Sequence, residues 1–212
     1  MSTEKLRREY TLAHLEEHTA SENPFEQFAL WFRELLQSND PEPYAMTLST
    51  VNALGKPASR VVLLRHFDEA GFVFYTNYQS QKGSEIEQFP FVAINFFWPG
   101  FERQVRIEGA VTRVESDVSD AYFASRPRES QIGAWSSPQS TEIGSRAELE
   151  QAFAAFSEKF ADRVVSRPSH WGGYLIKPDK FEFWQGRPGR LHDRLCFHLN
   201  NSGNWRRFRK AP

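Results

Sequence analysis

The sequence predicts a mainly β fold of the α+β class, in which about nine short antiparallel strands close into a full or split barrel flanked by helices. Three observations carry this expectation. Beyond residue 43 the apolar residues fall into short runs, many with period-two alternation, rich in β-branched and aromatic side chains. Turn-forming clusters such as "NALGKP" (52–57) and "DEAG" (68–71) separate those runs. The phosphate-loop signatures of parallel α/β folds, G-x-G-x-x-G and G-x-x-x-x-G-K-[ST], do not occur, nor does the zinc motif H-E-x-x-H.

Each element has its own signal. The first 20 residues are polar and read as a mobile arm or lid ahead of a single domain, 21–212. "NPFEQFALWFRELLQS" predicts a helix: Asn23 caps it, Pro24 suits the first position, Glu26 completes a capping box, and Phe25, Phe28, Phe32, Leu35 and Leu36 form its apolar stripe. Strands follow at 44–51, 59–67 and 71–77, read as an antiparallel meander, then a short helix at "SQKGSEIEQF" and strands at 91–98 and 102–114. In the last of these Val105, Ile107, Gly109 and Val111 alternate with Arg106, Glu108 and Ala110, giving one mostly apolar face. Helices are predicted near "SDVSDAYFAS", ended by Arg126-Pro127, and after the capping box of Ser145 and Glu148, with Leu149, Phe153, Phe156 and Phe160 inward. The intervening "RPRESQIGAWSSPQSTEIG" is polar and turn-rich and predicts a long functional loop. "WGGYLIKP", "KFEFWQ", "RLCFHLN" and "WRRFRK" read as four further strands, with "NNSGN" as the final hairpin turn.

Composition narrows the function. A chain of 212 residues with 26 basic and 27 acidic side chains carries no global field to attract a nucleic acid or an anionic membrane, so any anion site is local. The one cysteine, Cys196, excludes an internal disulfide and a cysteine-based metal centre, and no metal is expected. The charged amino terminus has no apolar core of a signal peptide and no run approaches a membrane span, which predicts a cytoplasmic protein.

Several residue groups point to anion chemistry. Tyr122, Arg126 and Ser130 recur every four residues, and a phenol, a planar guanidinium and a hydroxyl suit a phosphate monoester; a solvated helix end fits the same spacing. Arg60 and Arg65 flank "VVLL", where they serve a ligand or discourage edge pairing. Lys82 lies near a predicted helix start, where backbone N–H groups favour an anion. Gln104 offers an amide within a strand. "FWQGRPGRLHDR" (183–194) gathers Trp184, Arg190 and His192: a ring to stack on a flat ligand and a proton-exchanging loop histidine, or a core tryptophan and a surface histidine.

Taken together, "RREY", "RVVLLR", "FYTN", "ERQVRIEG", "YFASRPRESQIGAWSSPQS", "WGG" and "EFWQGRPGRLHDR" resemble the pyridoxamine 5'-phosphate oxidase family in order and spacing, from residue 7 to the end of the chain. The resemblance implies an antiparallel, Greek-key-like split β-barrel that binds FMN and works as a homodimer with flavin at the interface. It implies FMN contacts from Arg60, Val61, Val62, Leu63, Leu64 and Arg65, from Tyr75, Thr76, Lys82 and Gln104, and from Gln139, Ser140, Trp184 and Arg194. The substrate phosphate falls to Tyr122, Arg126 and Ser130 with Arg65, the pyridine ring to Arg190, Leu191 and His192, and a lid to Arg7, Arg8, Glu9 and Tyr10. Arg190 and His192 are the implied catalytic pair.

The implied activity is oxidation of pyridoxamine or pyridoxine 5'-phosphate to pyridoxal 5'-phosphate by dioxygen, releasing hydrogen peroxide. Two rivals remain at this level: a flavin reductase driven by a reduced nicotinamide, and a non-catalytic binder of FMN or pyridoxal phosphate. The chain departs from the family pattern at Arg65, where lysine is expected, and at Gln81, where arginine is expected. The first exchanges a point charge for a planar fork. The second removes a charge near the FMN phosphate and predicts weaker binding.

Overall fold

Pro24–Leu36 form helix α1 in the computed structural model, which describes residues 8–212; the expected lid residue Arg7 lies outside the described residues. Asn23 caps α1 by accepting the Phe25 N–H at 2.9 Å. Glu26 does not close the expected capping box. Its carboxylate takes the Ser21 hydroxyl at 2.6 Å, and that hydroxyl accepts the Asn23 N–H at 3.1 Å, so a serine relays the contact. Phe28, Trp31 and Leu35 recur at helical spacing and are buried.

The strands are β1 (Ala45–Val51), β2 (Pro57–Leu63), β3 (His66–Asp68), β4 (Gly71–Asn77), β5 (Phe91–Trp98), β6 (Arg103–Arg113), β7 (Trp171–Gln185), β8 (Asp193–Leu199) and β9 (Trp205–Arg209). They form one antiparallel sheet, ordered β2-β1-β5-β6-β7-β4-β3, with β8 and β9 continuing from β7. The sheet curls into a half-barrel around α1. Phe28 meets Phe96 at 5.1 Å and Trp31 meets Phe183 edge-on at 5.4 Å between ring centroids. Truncating a buried ring such as Phe28 to alanine costs about 3–5 kcal/mol.

The expected strand 59–67 is two strands. Pairing with β1 ends at Leu63; the Leu64 N–H donates to the Tyr44 carbonyl and the Arg65 N–H to the Val73 carbonyl, both at 2.9 Å. The meander therefore breaks there: β1 joins β5 while β4 joins β7. Conversely, the two strands expected at "WGGYLIKP" and "KFEFWQ" are one, β7. A bulge leaves Asp179 unpaired opposite the Glu108–Gly109 step, and a Cβ at Gly109 would lie 2.1 Å from the Lys177 carbonyl oxygen, so only glycine fits. One edge of β7 pairs with β4 before the bulge and with β8 after it.

Helices α2 (Gln81–Gln88), α3 (Ser116–Ser125), α4 (Arg128–Ser136) and α5 (Arg146–Lys159) complete the fold. Helix α4 falls inside the segment expected to be a loop. Its sequence is too polar to show a helical stripe, but Gln131 Nε2 reaches the Phe123, Ala124 and Arg126 carbonyls at 3.0–3.1 Å and Ile132 is buried beside Phe123 and Trp171. Residues 8–22 carry no helix or strand and follow the C-terminal strands, with Leu15 buried and its N–H donated to Asp193 at 3.1 Å. Among the described residues no helix is long and apolar enough to cross a membrane.

Candidate active site

One cavity of about 480 Å³ opens where β2, β4, α2 and the α3–α4 junction meet. It gathers Arg60, Val61, Val62, Leu63, Arg65, Tyr75, Thr76, Lys82 and Gln139 of the expected cofactor set with Tyr122, Arg126 and Ser130 of the expected substrate set. Four of its lining residues are cations, Arg60, Arg65, Lys82 and Arg126, and none is acidic.

Ser80 caps α2 and sets Lys82 in its first turn, pointing inward and only 8% exposed. Its Nζ donates to Gln139 Oε1 at 3.0 Å and approaches the Thr76 and Ser80 hydroxyls at 3.3 and 3.4 Å, while the Thr76 hydroxyl donates to the same Gln139 oxygen at 3.1 Å. Burial, and next the Arg60 charge, bring the Lys82 pKa down to about 8, with the Glu85 carboxylate opposing. Arg60 donates from Nη2 to Glu85 Oε2 at 3.0 Å and from Nη1 to the Thr50 hydroxyl.

Helix α3 stops at Arg126, whose extended backbone (ψ 151°) is what a following proline favours. The helix ends at Arg126-Pro127 as expected, and Tyr122, Arg126 and Ser130 line the same cavity from either side of the turn. Arg126 lies over the Trp171 ring at 4.5 Å, and its Nη1 is buried with no partner among the described residues. Tyr75 and Tyr122 stack at 3.9 Å beside Trp171.

A second cavity, about 630 Å³, is lined by Arg8, Glu9, Tyr10, Arg187, Gly189, Arg190 and His192, and it shares no residue with the first. Tyr10 stands edge-on to Trp184 and His192, at 5.6 and 5.8 Å. Buried Glu102 holds that segment, accepting the Leu12 N–H at 3.0 Å and facing Arg8 at 3.4 Å. His192 Nδ1 accepts the Arg187 N–H at 3.1 Å, which assigns the proton of the neutral ring to Nε2. Burial, and then Arg190, lower the His192 pKa, so the neutral ring predominates at pH 7. Gly189 and Arg190 are both left-handed (φ 62° and 63°), a conformation that is strained for Arg190, which is exposed at the second cavity. Asp193 accepts from Arg187 at 2.8 Å and Arg209 at 2.6 Å.

The remaining expected site residues lie outside both linings. Arg194 is committed to Glu182 at 3.0 and 2.9 Å and to the Ala211 carbonyl. Gln104 and Trp184 are cross-strand neighbours on β6 and β7. Leu64 is in the core, Leu191 is exposed, and Ser140 follows Gln139 in a left-handed turn (φ 73°). Gln81 donates to Glu85 Oε1 at 2.8 Å instead of lining the cavity. Sequence reasoning missed Thr50, Glu85, Trp171 and Glu102. The Gln81–Glu85 pair was recoverable from its one-turn spacing; the Thr50 contact depends on strand register and was not. Among the described residues no cluster of three or more His, Cys, Asp or Glu could hold a metal ion.

Residues 32–160 match the family model described as pyridoxamine 5'-phosphate oxidase, and residues 171–212 match the pyridoxine 5'-phosphate oxidase C-terminal dimerisation region. The chain is 53% identical over 207 residues to the pyridoxine/pyridoxamine 5'-phosphate oxidase of Gloeothece citriformis, covering 98% of this chain and 97% of that one. It is 48% identical over 212 residues to the enzyme of the same name from Synechocystis, covering 100% and 99%. The crystal structure of PhzG from Burkholderia lata, in complex with tetrahydrophenazine-1-carboxylic acid, superposes with a TM-score of 0.89 at 24% identity, covering 97% of this chain and 100% of that one; this likeness speaks to the fold. Two matched family regions and near-complete relatives at about half identity make this chain a member of the pyridoxine/pyridoxamine 5'-phosphate oxidase family.

Proposed function

We propose that the chain is an FMN-dependent oxidase that converts pyridoxamine 5'-phosphate and pyridoxine 5'-phosphate to pyridoxal 5'-phosphate, with dioxygen as acceptor. The observation that carries this reading is the cavity with four cations and no acid on its lining. Each phosphate monoester brings a charge of about −1.5 to −2 at neutral pH, so two such ligands match four cations. The partnerless Arg126 Nη1 is a donor that a phosphate oxygen would satisfy, and the inward Lys82 ammonium adds its charge to the same lining.

On this reading Arg60, Lys82, Thr76 and Gln139 hold the FMN phosphate end, with the strand from Val61 to Arg65, Tyr75 and Ser140 around the flavin. Tyr122, Arg126 and Ser130 hold the substrate phosphate. Gln104, Trp184, Arg190, His192 and Arg194 lie outside that lining, and on this reading a second copy of the chain brings them to the site. This reading requires a homodimer with FMN at its interface; the match of residues 171–212 to a dimerisation region supports the dimer.

FMN, when bound, supplies the two-electron acceptor that dioxygen reoxidises. The chain's residues then position and shield. Arg126 anchors the phosphate and so fixes where the substrate's C4' carbon lies. Arg190 orients the pyridine ring. His192, neutral with its proton on Nε2, donates a hydrogen bond from that nitrogen. The segment through Tyr10, held by Glu102, closes over the ring and excludes water. The amine substrate consumes one water and one dioxygen and yields aldehyde, ammonia and peroxide; the alcohol yields aldehyde and peroxide. Oxygen-electrode assays of the FMN-loaded protein with each substrate test the proposal. FMN-loaded protein that yields no peroxide, or whose flavin is bleached only by NADH or NADPH, contradicts it.

A further inference from the structure

We propose that Glu85 is a positioning residue for the anion site, fixing the plane of the Arg60 guanidinium together with Thr50 and Gln81; this rests on the reading of the first cavity as an FMN phosphate site. The three groups come from three elements: Arg60 from β2, Thr50 from β1 and Glu85 from α2. Arg60 reaches Glu85 Oε2 through Nη2 at 3.0 Å and the Thr50 hydroxyl through Nη1, and that hydroxyl closes the ring by donating to the same Glu85 oxygen at 2.5 Å. Gln81 Nε2 holds the other carboxylate oxygen at 2.8 Å. Both oxygens of a carboxylate that is only 5% exposed are therefore engaged.

The arrangement is built, and it is costly. Burial alone would raise the Glu85 pKa, but the hydrogen bonds from Thr50, Gln81 and Arg60 hold it below the ordinary carboxylate range. A buried negative charge next to an anion site opposes the anion by Coulomb's law. What it offers in return is a guanidinium ordered before the ligand arrives, so that its rotamer entropy is not lost on binding. The arrangement also reassigns Gln81: its amide serves the carboxylate that holds Arg60, so the charge missing at this position is not simply a lost phosphate contact.

Charge and positioning predict opposite signs. If Glu85 only neutralises, Glu85→Gln tightens binding of a phosphate-bearing ligand; if it positions Arg60, the same change weakens it. The test is flavin-fluorescence titration of the apoprotein with FMN and with riboflavin, which lacks the phosphate. The expected result is an FMN Kd about fivefold to tenfold higher for Glu85→Gln, about 1–1.4 kcal/mol, with the riboflavin Kd unchanged. Thr50→Val opens the ring without altering any charge, and it should raise the FMN Kd by a smaller factor, again sparing riboflavin; it decides the matter should Glu85→Gln fail to fold. An FMN Kd that falls or stays constant in the folded variants, or an equal loss for both flavins, overturns the proposal. Wild-type protein that binds riboflavin no more weakly than FMN overturns the phosphate-site reading itself.

Discussion

Arg126 lies 4.5 Å over the Trp171 ring with its Nη1 buried and unbonded among the described residues. The stack fixes the guanidinium of a residue that lines the cavity and leaves one of its donors unpaired, which suits a ligand site better than a structural ion pair. Burial lowers its pKa from the ordinary value, but arginine remains charged. Arg126→Gln should raise KM for both phosphorylated substrates by about tenfold to a hundredfold, the loss of one charge-assisted hydrogen bond. Thermal stability should hardly change, since no partner within the chain is orphaned. Steady-state kinetics alongside a melting curve checks both statements.

On the proposed reading of the first cavity, Lys82 should make cofactor binding pH-dependent. Its pKa is depressed to about 8, so the ammonium that attracts phosphate is present below that pH and lost above it. FMN affinity should fall as pH rises from about 7 to 9.5, by at most tenfold per unit for a single proton. Fluorescence titrations of the apoprotein across this range measure it. In Lys82→Met binding is weaker throughout and the step near pH 8 disappears.

The separation of the two cavities predicts subunit complementation. Arg126→Gln damages the first cavity and His192→Ala the second, and each homodimer should have low activity. In an equal mixture of refolded chains half the dimers are mixed, and one of their two sites pairs both intact halves, so about a quarter of wild-type activity returns. Activity that stays at the level of the separate variants would mean that each chain builds its site alone.

Much of this arrangement was legible beforehand, and the exceptions have physical causes. Period-two alternation in 103–113 placed Val105, Ile107 and Val111 on the buried face, where they are found. Helix α4 was hidden because Gln131 ties it to the Phe123, Ala124 and Arg126 carbonyls by side-chain bonds, which leave no apolar period to read. The continuity of β7 rests on Gly109 in another strand, beyond the reach of any local pattern. In the site, Arg60, Lys82, Tyr122 and Arg126 were marked by residue type and spacing and do converge. Glu85 and Thr50 were not, because their value lies in the register that sets them beside Arg60. Nor does one chain bring Trp184, Arg190 and His192 to that cavity.

The segment ahead of α1 is clasped by carboxylates and should loosen in acid. Arg209 donates to Glu17 at two distances of 2.7 Å and to Asp193 at 2.6 Å. The side-chain hydrogen bond from Arg209 is the main cause that lowers the Glu17 pKa to about 2, and Asp193 is lowered too, where bonds from Leu15, Arg187 and Arg209 outweigh burial. Folded-state values below the unfolded ones mean that this stabilisation is present above the ordinary carboxylate range and lost as pH falls towards about 2. Glu17 is half exposed, so its share is at most about 1 kcal/mol. Hydrogen exchange should show the Leu15 amide, bonded to Asp193, exchanging faster in Arg209→Ala than in the wild type.

Peroxide production by the FMN-loaded protein bears most directly on the central claim. With pyridoxamine 5'-phosphate or pyridoxine 5'-phosphate as sole reductant, one peroxide should appear for each pyridoxal 5'-phosphate formed, with ammonia from the amine alone. Loaded protein that forms neither aldehyde nor peroxide from either substrate would contradict the account.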